Sequence, residues 1–369
     1  MPCIHILTHE YPPHRGGAGT YCFEMGLAAS KLEQNIEIWA PRGSEKNDSF
    51  DVIGLPWKGS QSLLASYKLI KKSQRFLKEL NEKDIFHLAE LGSSRAFLRF
   101  GWMLPKSTKL ILTIHGTELQ RFTRNPLEKW FFQKLLLKCK KIHVLSEYNY
   151  RKLVEFCPDV KSRTFRIPGA PSSKLRRKKY LSSSRENGKV RIICVGRLHP
   201  RKGQDQILLA IQKLDTDYQE KLEIIFAGPS TKPSYVKYLL SLKKKSRCTI
   251  VFEGDCSDNK LIELYQKSDL FCLTSMPRKK SIEGFGFVYL DASSYELPII
   301  ANRIGGVEDA VINNQTGFLC EPGDTSQLAM AIKRLIEDKD LRKQLGANGK
   351  EWAAKHSWER AAKEFYKGI

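Results

Sequence analysis

Acidic residues are scarce in this 369-residue chain: 40 Asp and Glu stand against 62 Lys and Arg, for a formal net charge of +22. A surface so charged needs an anionic partner or tolerates one: the phosphates of a small ligand, nucleic acid or an anionic membrane. Charge alone does not choose among these, and a basic surface that only aids solubility fits it as well. Long apolar runs are also missing. No stretch approaches the roughly 20 residues that span a bilayer. The opening MPCIHILTHEYPP has no basic leader and too short an apolar stretch for a signal peptide, so a cytoplasmic location is expected. The nine cysteines are odd in number and none form a CxxC pair, which argues against a disulfide framework or a zinc site. No metal and no cofactor are expected. There is no GxGxxG, so the nicotinamide fingerprint fails. No RNP-like aromatic run or other RNA module is present, so no nucleic-acid partner is expected.

What is present is a globular composition, 41% hydrophobic and 28% charged, at a length that suits two domains. Short apolar strands alternate with helical lengths: Ile4 to Leu7, Ile36 to Trp39, Ile85 to Leu88, Leu110 to Ile114 and Ile142 to Leu145. This predicts an α/β domain, residues 1–170, with a parallel sheet covered on both faces. The stretch 171–188 is rich in Ser, Lys and Arg and reads as a linker, its basic run Arg176 to Lys179 solvated. Alternation resumes over 189–352, with strands at Arg191 to Val195, Leu222 to Phe226, Thr249 to Phe252, Leu270 to Leu273 and Pro298 to Ala301. Two doubly wound, Rossmann-like domains facing across a cleft are expected, with ligands at the C-terminal ends of the strands. The helix over 353–369 is expected to cross back onto the first domain.

Three segments carry chemistry. In PPHRGGAGTY, residues Pro12 to Tyr21, glycines at a strand-to-helix turn let backbone amides approach a phosphate or a sugar, although a tight turn without ligand reads the same way. In VGRLHPRKGQD, Val195 to Asp205, Arg197 and Lys202 supply the fixed cations a diphosphate needs, and Gly196 allows close approach of the backbone. In SIEGFGFVYLDASSYELPII, Ser281 to Ile300, Glu283 precedes a glycine-flanked helix start and Asp291 lies about two turns into that helix.

Together these segments resemble the retaining family 4 glycosyltransferases. EGFG, with a second carboxylate at E-x7-E spacing and an LPII strand after it, is similar to that family's signature. The GRLHPRKGQD run, Ile304 to Glu308, Thr316 to Phe318, Glu321 to Asp324 and the final Ser357-Trp358-Glu359 follow in the family's order. The resemblance covers essentially the whole chain and implies the two-domain GT-B fold. It implies that Arg197 and Lys202 bind the donor diphosphate and that Glu283 and His115 contact the transferred sugar. The backbone around Phe285, Gly286 and Phe287 would cap the phosphates, and Gly16 and Gly17 would lie against the donor. Asp291 stands where the family has a ribose-binding Glu, so Asp291→Glu is expected to be tolerated. Without the family, His115 reads as a core or turn histidine.

The implied activity is metal-independent, retaining transfer of a hexose from GDP-mannose or a UDP-sugar to a glycan or lipid-linked acceptor. The basic loop before Glu283 and the PRKGQD run resemble the subgroup that mannosylates phosphatidylinositol mannosides. A catalytically weak GT-B scaffold, or a basic protein binding membrane or RNA, is the alternative. Two amphipathic stretches bear on a membrane partner. In Leu63 to Leu80, Leu63, Tyr67, Ile70 and Leu77 are expected to pack on the sheet, leaving Lys68, Lys71, Lys72, Arg75 and Lys78 as a basic stripe. Pro126 to Lys141 mixes Trp130, Phe131 and Phe132 with lysines, as membrane-interface helices do. Two ordinary helices with solvated lysines fit equally well.

Overall fold

The computed structural model describes residues 2–14, 16–55, 62–77, 83–175, 188–279 and 281–369. The chain opens with β1 (Cys3–Leu7), α1 (Gly17–Lys31), β2 (Asn35–Pro41), β3 (Asp51–Leu55), α2 (Leu63–Leu77), β4 (Ile85–Leu88) and α3 (Leu91–Phe100). It continues with β5 (Lys109–Ile114), α4 (Thr117–Phe122), α5 (Pro126–Lys138), β6 (Lys141–Val144), α6 (Glu147–Phe156) and β7 (Thr164–Arg166). The pattern restarts with β8 (Val190–Val195), α7 (Gln204–Ile211), α8 (Thr216–Glu220), β9 (Leu222–Ala227), α9 (Pro233–Lys244), β10 (Thr249–Gly254), α10 (Asp258–Gln266) and β11 (Leu270–Leu273). It ends with α11 (Phe287–Ser294), β12 (Ile299–Asn302), α12 (Val307–Ala310), β13 (Gly317–Cys320), α13 (Thr325–Glu337), α14 (Lys339–Ala354) and α15 (Trp358–Tyr366). The linker stretch 176–187, including Arg176 to Lys179, lies outside the described residues, as does Lys78.

The chain divides into two compact units. The first takes Met1–Gly169, Lys279–Phe285 and Ser357–Ile369; the second takes Ala170–Arg278 and Gly286–His356. In the first, the described strands form one parallel sheet in the order β3-β2-β1-β4-β5-β6-β7. In the second they run β10-β9-β8-β11-β12-β13, also parallel. Both orders reverse direction beside their first strand, at β1/β4 and β8/β11, the crevice position where doubly wound sheets bind ligands. The nine cysteines are all free, most of them buried.

Small residues let α1 sit close to its sheet. A Cβ on Gly26 would come within 2.8 Å of Ile38 Cδ1 on β2. The other side of α1 receives α15, whose buried Trp358, Ala361, Ala362, Phe365 and Tyr366 form one stripe. Lys31 and Glu359 join these helices at the surface. Tyr366 also reaches the sheet, starting a buried chain of hydrogen bonds: Tyr366 to His87, 2.9 Å; His87 to Thr113, 2.8 Å; Thr113 to Tyr21, 2.8 Å; Tyr21 to His143, 2.8 Å; His143 to the Ile167 carbonyl, 2.7 Å. A carbonyl can only accept, so His143 carries its hydrogen on Nε2 and accepts from Tyr21 on Nδ1. The remaining bonds then have one consistent order, with His87 also neutral and protonated on Nε2.

Burial pushes the His87 imidazolium well down and that of His143 down to about 4. Between pH 6.5 and that value the unfolded chain binds protons that the folded unit refuses, so stability falls on acidification through this window. His143 alone contributes a loss on the order of 3 kcal/mol by its lower end. Urea midpoints at pH 7 and pH 4.5 should differ accordingly, and the difference should shrink in His143→Gln. An unchanged difference in that variant would mean His143 is not responsible.

Candidate functional site

In the first unit, candidate residues collect at the strand ends beside the β1/β4 crevice. Glu90, just after β4, caps α3 by accepting the backbone N–H groups of Gly92 (2.7 Å) and Ser93 (2.8 Å) and holds His9 Nδ1 at 2.9 Å. Burial alone would raise its carboxyl, but the His9 bond and the two backbone donors outweigh it and hold it below the usual range. His115 follows β5. Its Nε2 lies 2.9 Å from the Ala89 carbonyl, so that nitrogen carries the hydrogen and Nδ1 is an acceptor. Burial lowers its pKa, and the ring is neutral at pH 7. The edge of Tyr21 abuts it at 5.1 Å between ring centres.

The turn after His115 is fixed from below. Its backbone N–H donates to Glu118 Oε2 at 3.0 Å. Glu118 is fully buried, which, with the neighbouring Glu90 charge, pushes its pKa up to about 7.

Gly16 begins α1 with extended backbone, φ 177°. It is glycine for space rather than torsion: a Cβ there would lie 1.3 Å from Glu10 Oε1. Gly17 is the first residue of the helix. A carboxylate therefore lies against this glycine turn, next to the amides that the sequence assigns to a donor.

Glu283 was expected from its place in the chain to belong with the second domain. The structure groups it with the first unit instead. Gly284 packs so closely on the turn after β5 that a Cβ would lie 1.6 Å from the His115 carbonyl oxygen. Glu283 is half-buried beside it, and Phe285 is buried. The structure thus brings His115 and the Glu283 loop together.

In the second unit, Gly196, Arg197 and Lys202 share the loop from β8 to α7. Gly196 has φ +153° and bonds its N–H to the Ala227 carbonyl at 2.8 Å. Gly203, φ +70°, fits against β11, where a Cβ would lie 1.9 Å from the Thr274 carbonyl oxygen. The buried Gln204 donates to the Arg197 carbonyl at 3.0 Å and so fixes the backbone there. The Arg197 guanidinium is exposed and has no ion pair among the described residues. The stem of Lys202 runs along Gly196. His199 on the same loop has its pKa lowered by burial and then by Lys232, Arg201, Arg197 and Arg278, a concentration of positive charge with no acidic group among the causes. Gly286, φ +88°, and Phe287 open α11, which is tied to β11 by the Tyr289 hydroxyl donating to the Leu273 carbonyl at 3.1 Å.

Asp291 is buried, 5% exposed, on the fifth residue of α11. One oxygen accepts the Ser172 backbone N–H at 2.7 Å. Its present work is to fasten the chain leading into the linker. Removing the carboxylate in Asp291→Ala leaves that buried N–H unpaired, at a cost of about 1–3 kcal/mol. Asp291→Glu forces an extra methylene into a closed position, costing about the same. Thermal denaturation of both variants checks this; a stable Asp291→Glu would restore the tolerance expected from sequence. Among the described residues no group of three or more His, Cys, Asp or Glu is arranged to hold a metal ion.

The family models settle the lineage. Residues 15–170 match the model described as Glycosyltransferase Family 4, and residues 176–352 match Glycosyl transferases group 1. The chain belongs to the family 4 (group 1) glycosyltransferases. This glycosyltransferase is 24% identical over 389 aligned residues to a GDP-mannose-dependent alpha-(1-6)-phosphatidylinositol monomannoside mannosyltransferase of Mycobacterium tuberculosis, an alignment covering 98% of this chain and 96% of the relative. Its fold is that of sucrose-phosphate synthase from Thermosynechococcus elongatus, with a TM-score of 0.81 at 17% identity over 100% of this chain and 98% of that one. It matches Anabaena HepE, solved with UDP and glucose, with a TM-score of 0.78 at 17% identity over the full length of both. The GT-B fold expected from the motifs is therefore present.

Several residues that shape the glycosyltransferase's site carry no signal in the sequence. Glu10, Glu90, Glu118 and Asn149 were not singled out by any motif, and each acts through a contact with a residue distant in the chain or through a backbone turn. The inward face expected on α2 is corrected in part. Leu63 and Tyr67, expected to pack on the sheet, are 64% and 40% exposed, while Ala65, Ser66, Leu69, Ile70 and Ser73 are buried. Lys68, Lys71 and Arg75 are exposed, and Lys72 is half-buried over the Phe76 ring. The inward face of α2 mixes Leu69 and Ile70 with the small Ala65, Ser66 and Ser73, and α3 packs directly against the helix.

Proposed function

We propose that this glycosyltransferase is a retaining, metal-independent hexosyltransferase that moves a hexose from a nucleotide-sugar, GDP-mannose first, to a lipid-linked acceptor at an anionic membrane surface. The observation that carries the reading is the loop from β8 to α7: an exposed Arg197, with no ion pair among the described residues, and a neighbouring Lys202 on a backbone fixed by Gln204 and Gly203. When the bond between the sugar carbon and the phosphate oxygen breaks, both electrons leave with the diphosphate, and these cations stabilise that charge without a metal. The acceptor oxygen bonds to the same carbon from the same face, and the leaving diphosphate takes the acceptor's proton. Glu283 and neutral His115 position the sugar, with His115 Nδ1 accepting from a hydroxyl; neither serves as the base. The mannosyl donor and lipid acceptor follow the name of the Mycobacterium tuberculosis relative. UDP-glucose is the second donor to test, given the UDP and glucose held by Anabaena HepE.

The membrane part rests on α2 and α5, which flank α3. Leu63, Leu64 and Tyr67 are exposed on α2, Trp102 is 76% exposed in the turn after α3, and Leu127, Trp130 and Leu137 are exposed on α5. Lysines stand among them: Lys71 lies over the Tyr67 ring and Lys134 over Trp130. Exposed aromatics with cations beside them suit an interface where rings enter the acyl boundary and lysines meet anionic headgroups. No helix among the described residues is long and apolar enough to cross a membrane.

The test incubates the protein with GDP-mannose or UDP-glucose, with and without chelator, and follows sugar transfer and the anomer formed. Turnover that survives chelation and keeps the anomeric configuration is expected; inversion or loss on chelation contradicts the mechanism. In co-sedimentation, each cation near an anionic surface contributes about 1 kcal/mol. Binding to anionic vesicles should therefore fall steeply with salt and drop when Lys68, Lys71, Lys72 and Arg75 become Ser. Equal binding to neutral vesicles, or none to either, overturns the membrane reading.

A further inference from the structure

We propose that Asn149 is a positioning residue for sugar transfer, latching the Glu283 loop onto the His115 turn; the proposal rests on the reading of Glu283 and His115 given above. Asn149 lies in the first turn of α6, is fully buried, and has its own backbone N–H capped by Ser146 Oγ at 3.3 Å. Its side chain spends its donor on the carbonyl of Gly284, 3.2 Å away, across 135 positions of chain. The amide cannot be turned round, since Oδ1 would then face another acceptor.

Oδ1 is buried and has no hydrogen-bond partner among the described residues. It is held against Gly116, φ +107°, where a Cβ would lie 2.8 Å from it. The amide is thus wedged between the turn after His115 and the residue after Glu283. Gly284 closes the same contact from the other side by resting on the His115 carbonyl, and Ile282 comes within 3.4 Å of a Cβ built on Gly116. Arg124 donates to the Lys279 carbonyl at 3.3 Å and holds the entry to the segment.

A fully buried amide that leaves its oxygen unsatisfied costs stability. At Asn149 the side chain's donor goes to the loop carrying Glu283. The cost therefore goes into where that loop sits. A displacement of about 1 Å in a positioning group lowers the rate on the order of a hundredfold.

The experiment compares wild type with Asn149→Ala and Asn149→Asp in three readouts: steady-state transfer with the donor that wild type uses, dissociation constants for GDP and UDP, and hydrogen exchange across residues 281–287. Expected are a kcat about 10–100-fold lower in both variants, nucleotide dissociation constants within twofold of wild type, and faster exchange in the segment. Asn149→Asp should regain rate relative to wild type as pH falls from about 8 to 6, because a protonated acid again donates to the Gly284 carbonyl. Asn149→Ala should regain none. A kcat within twofold of wild type, a loss of nucleotide affinity parallel to the loss of rate, or unchanged exchange overturns the latch. A wild-type protein that transfers no sugar from any donor instead overturns the functional reading, and the exchange measurement still decides the latch.

Discussion

Arg197→Ala lowers sugar transfer at saturating donor by two to three orders of magnitude, about 3–4 kcal/mol of lost charge stabilisation, while leaving the melting temperature unchanged. The separation of the two effects comes from how Arg197 is held. Its backbone carbonyl is bonded by Gln204, but its guanidinium is exposed and makes no ion pair among the described residues. Truncation therefore leaves no buried partner unsatisfied. Arg191 is a useful contrast, since it binds Glu223 at 2.7 Å in a half-buried pair on adjacent strands and its loss should be felt in folding instead. Turnover and thermal denaturation of Arg197→Ala measure both sides. Near-wild-type turnover at saturating donor would remove Arg197 from the diphosphate site.

Gly284→Ala abolishes most transfer, at least a hundredfold, for a stability cost of only about 1–3 kcal/mol. One methyl group cannot enter a space 1.6 Å from the His115 carbonyl oxygen, so the loop carrying Glu283 must lift away. Because that loop is a short segment that supplies no strand to the unit's sheet, the sheet survives. Gly43→Ala is the control. Gly43 has φ +84° and a Cβ there meets nothing within 4 Å, so its replacement costs about 1–2 kcal/mol of backbone strain without touching the site. If both variants lose activity in proportion to stability, the Gly284 contact has no special role in transfer.

Much of this was legible in the sequence, for a physical reason. Central strands of a parallel sheet are buried on both faces and read as unbroken apolar runs, so β1, β2, β4, β5, β8, β9 and β11 stand out. The edge strand β3, DVIGL, is only partly buried and holds a glycine and an aspartate, and β7 is three residues long; neither makes a recognisable run. The same limit governs the site. Arg197, Lys202 and Glu283 belong to contiguous motifs. The membership of Glu283 in the first unit depends on Gly284 meeting His115 and Asn149, a contact between segments more than 130 positions apart in the chain. Asp291 was legible as a carboxylate at a set spacing, but its bond to Ser172 was not. On α2 the helical period and the inward place of Ile70 were read correctly, but Leu63 and Tyr67 face out while Ala65, Ser66 and Ser73, whose small side chains carry no apolar signal, face in where α3 packs.

The ordered row of hydrogen bonds that begins at Tyr366 has a consequence for synthesis. His87 emerges early, yet its partner Tyr366 lies 279 positions later. The first unit is also the one that takes in Ser357–Ile369. A nascent chain therefore lacks α15 on the α1 face and the Tyr366 partner of His87 Nδ1 until residues 357–366 have been made, by which point the second unit, whose last residue is His356, has all of its own residues. The unit begun first is completed after the other, and truncation before Tyr366 would injure the sheet of the first unit rather than that of the second.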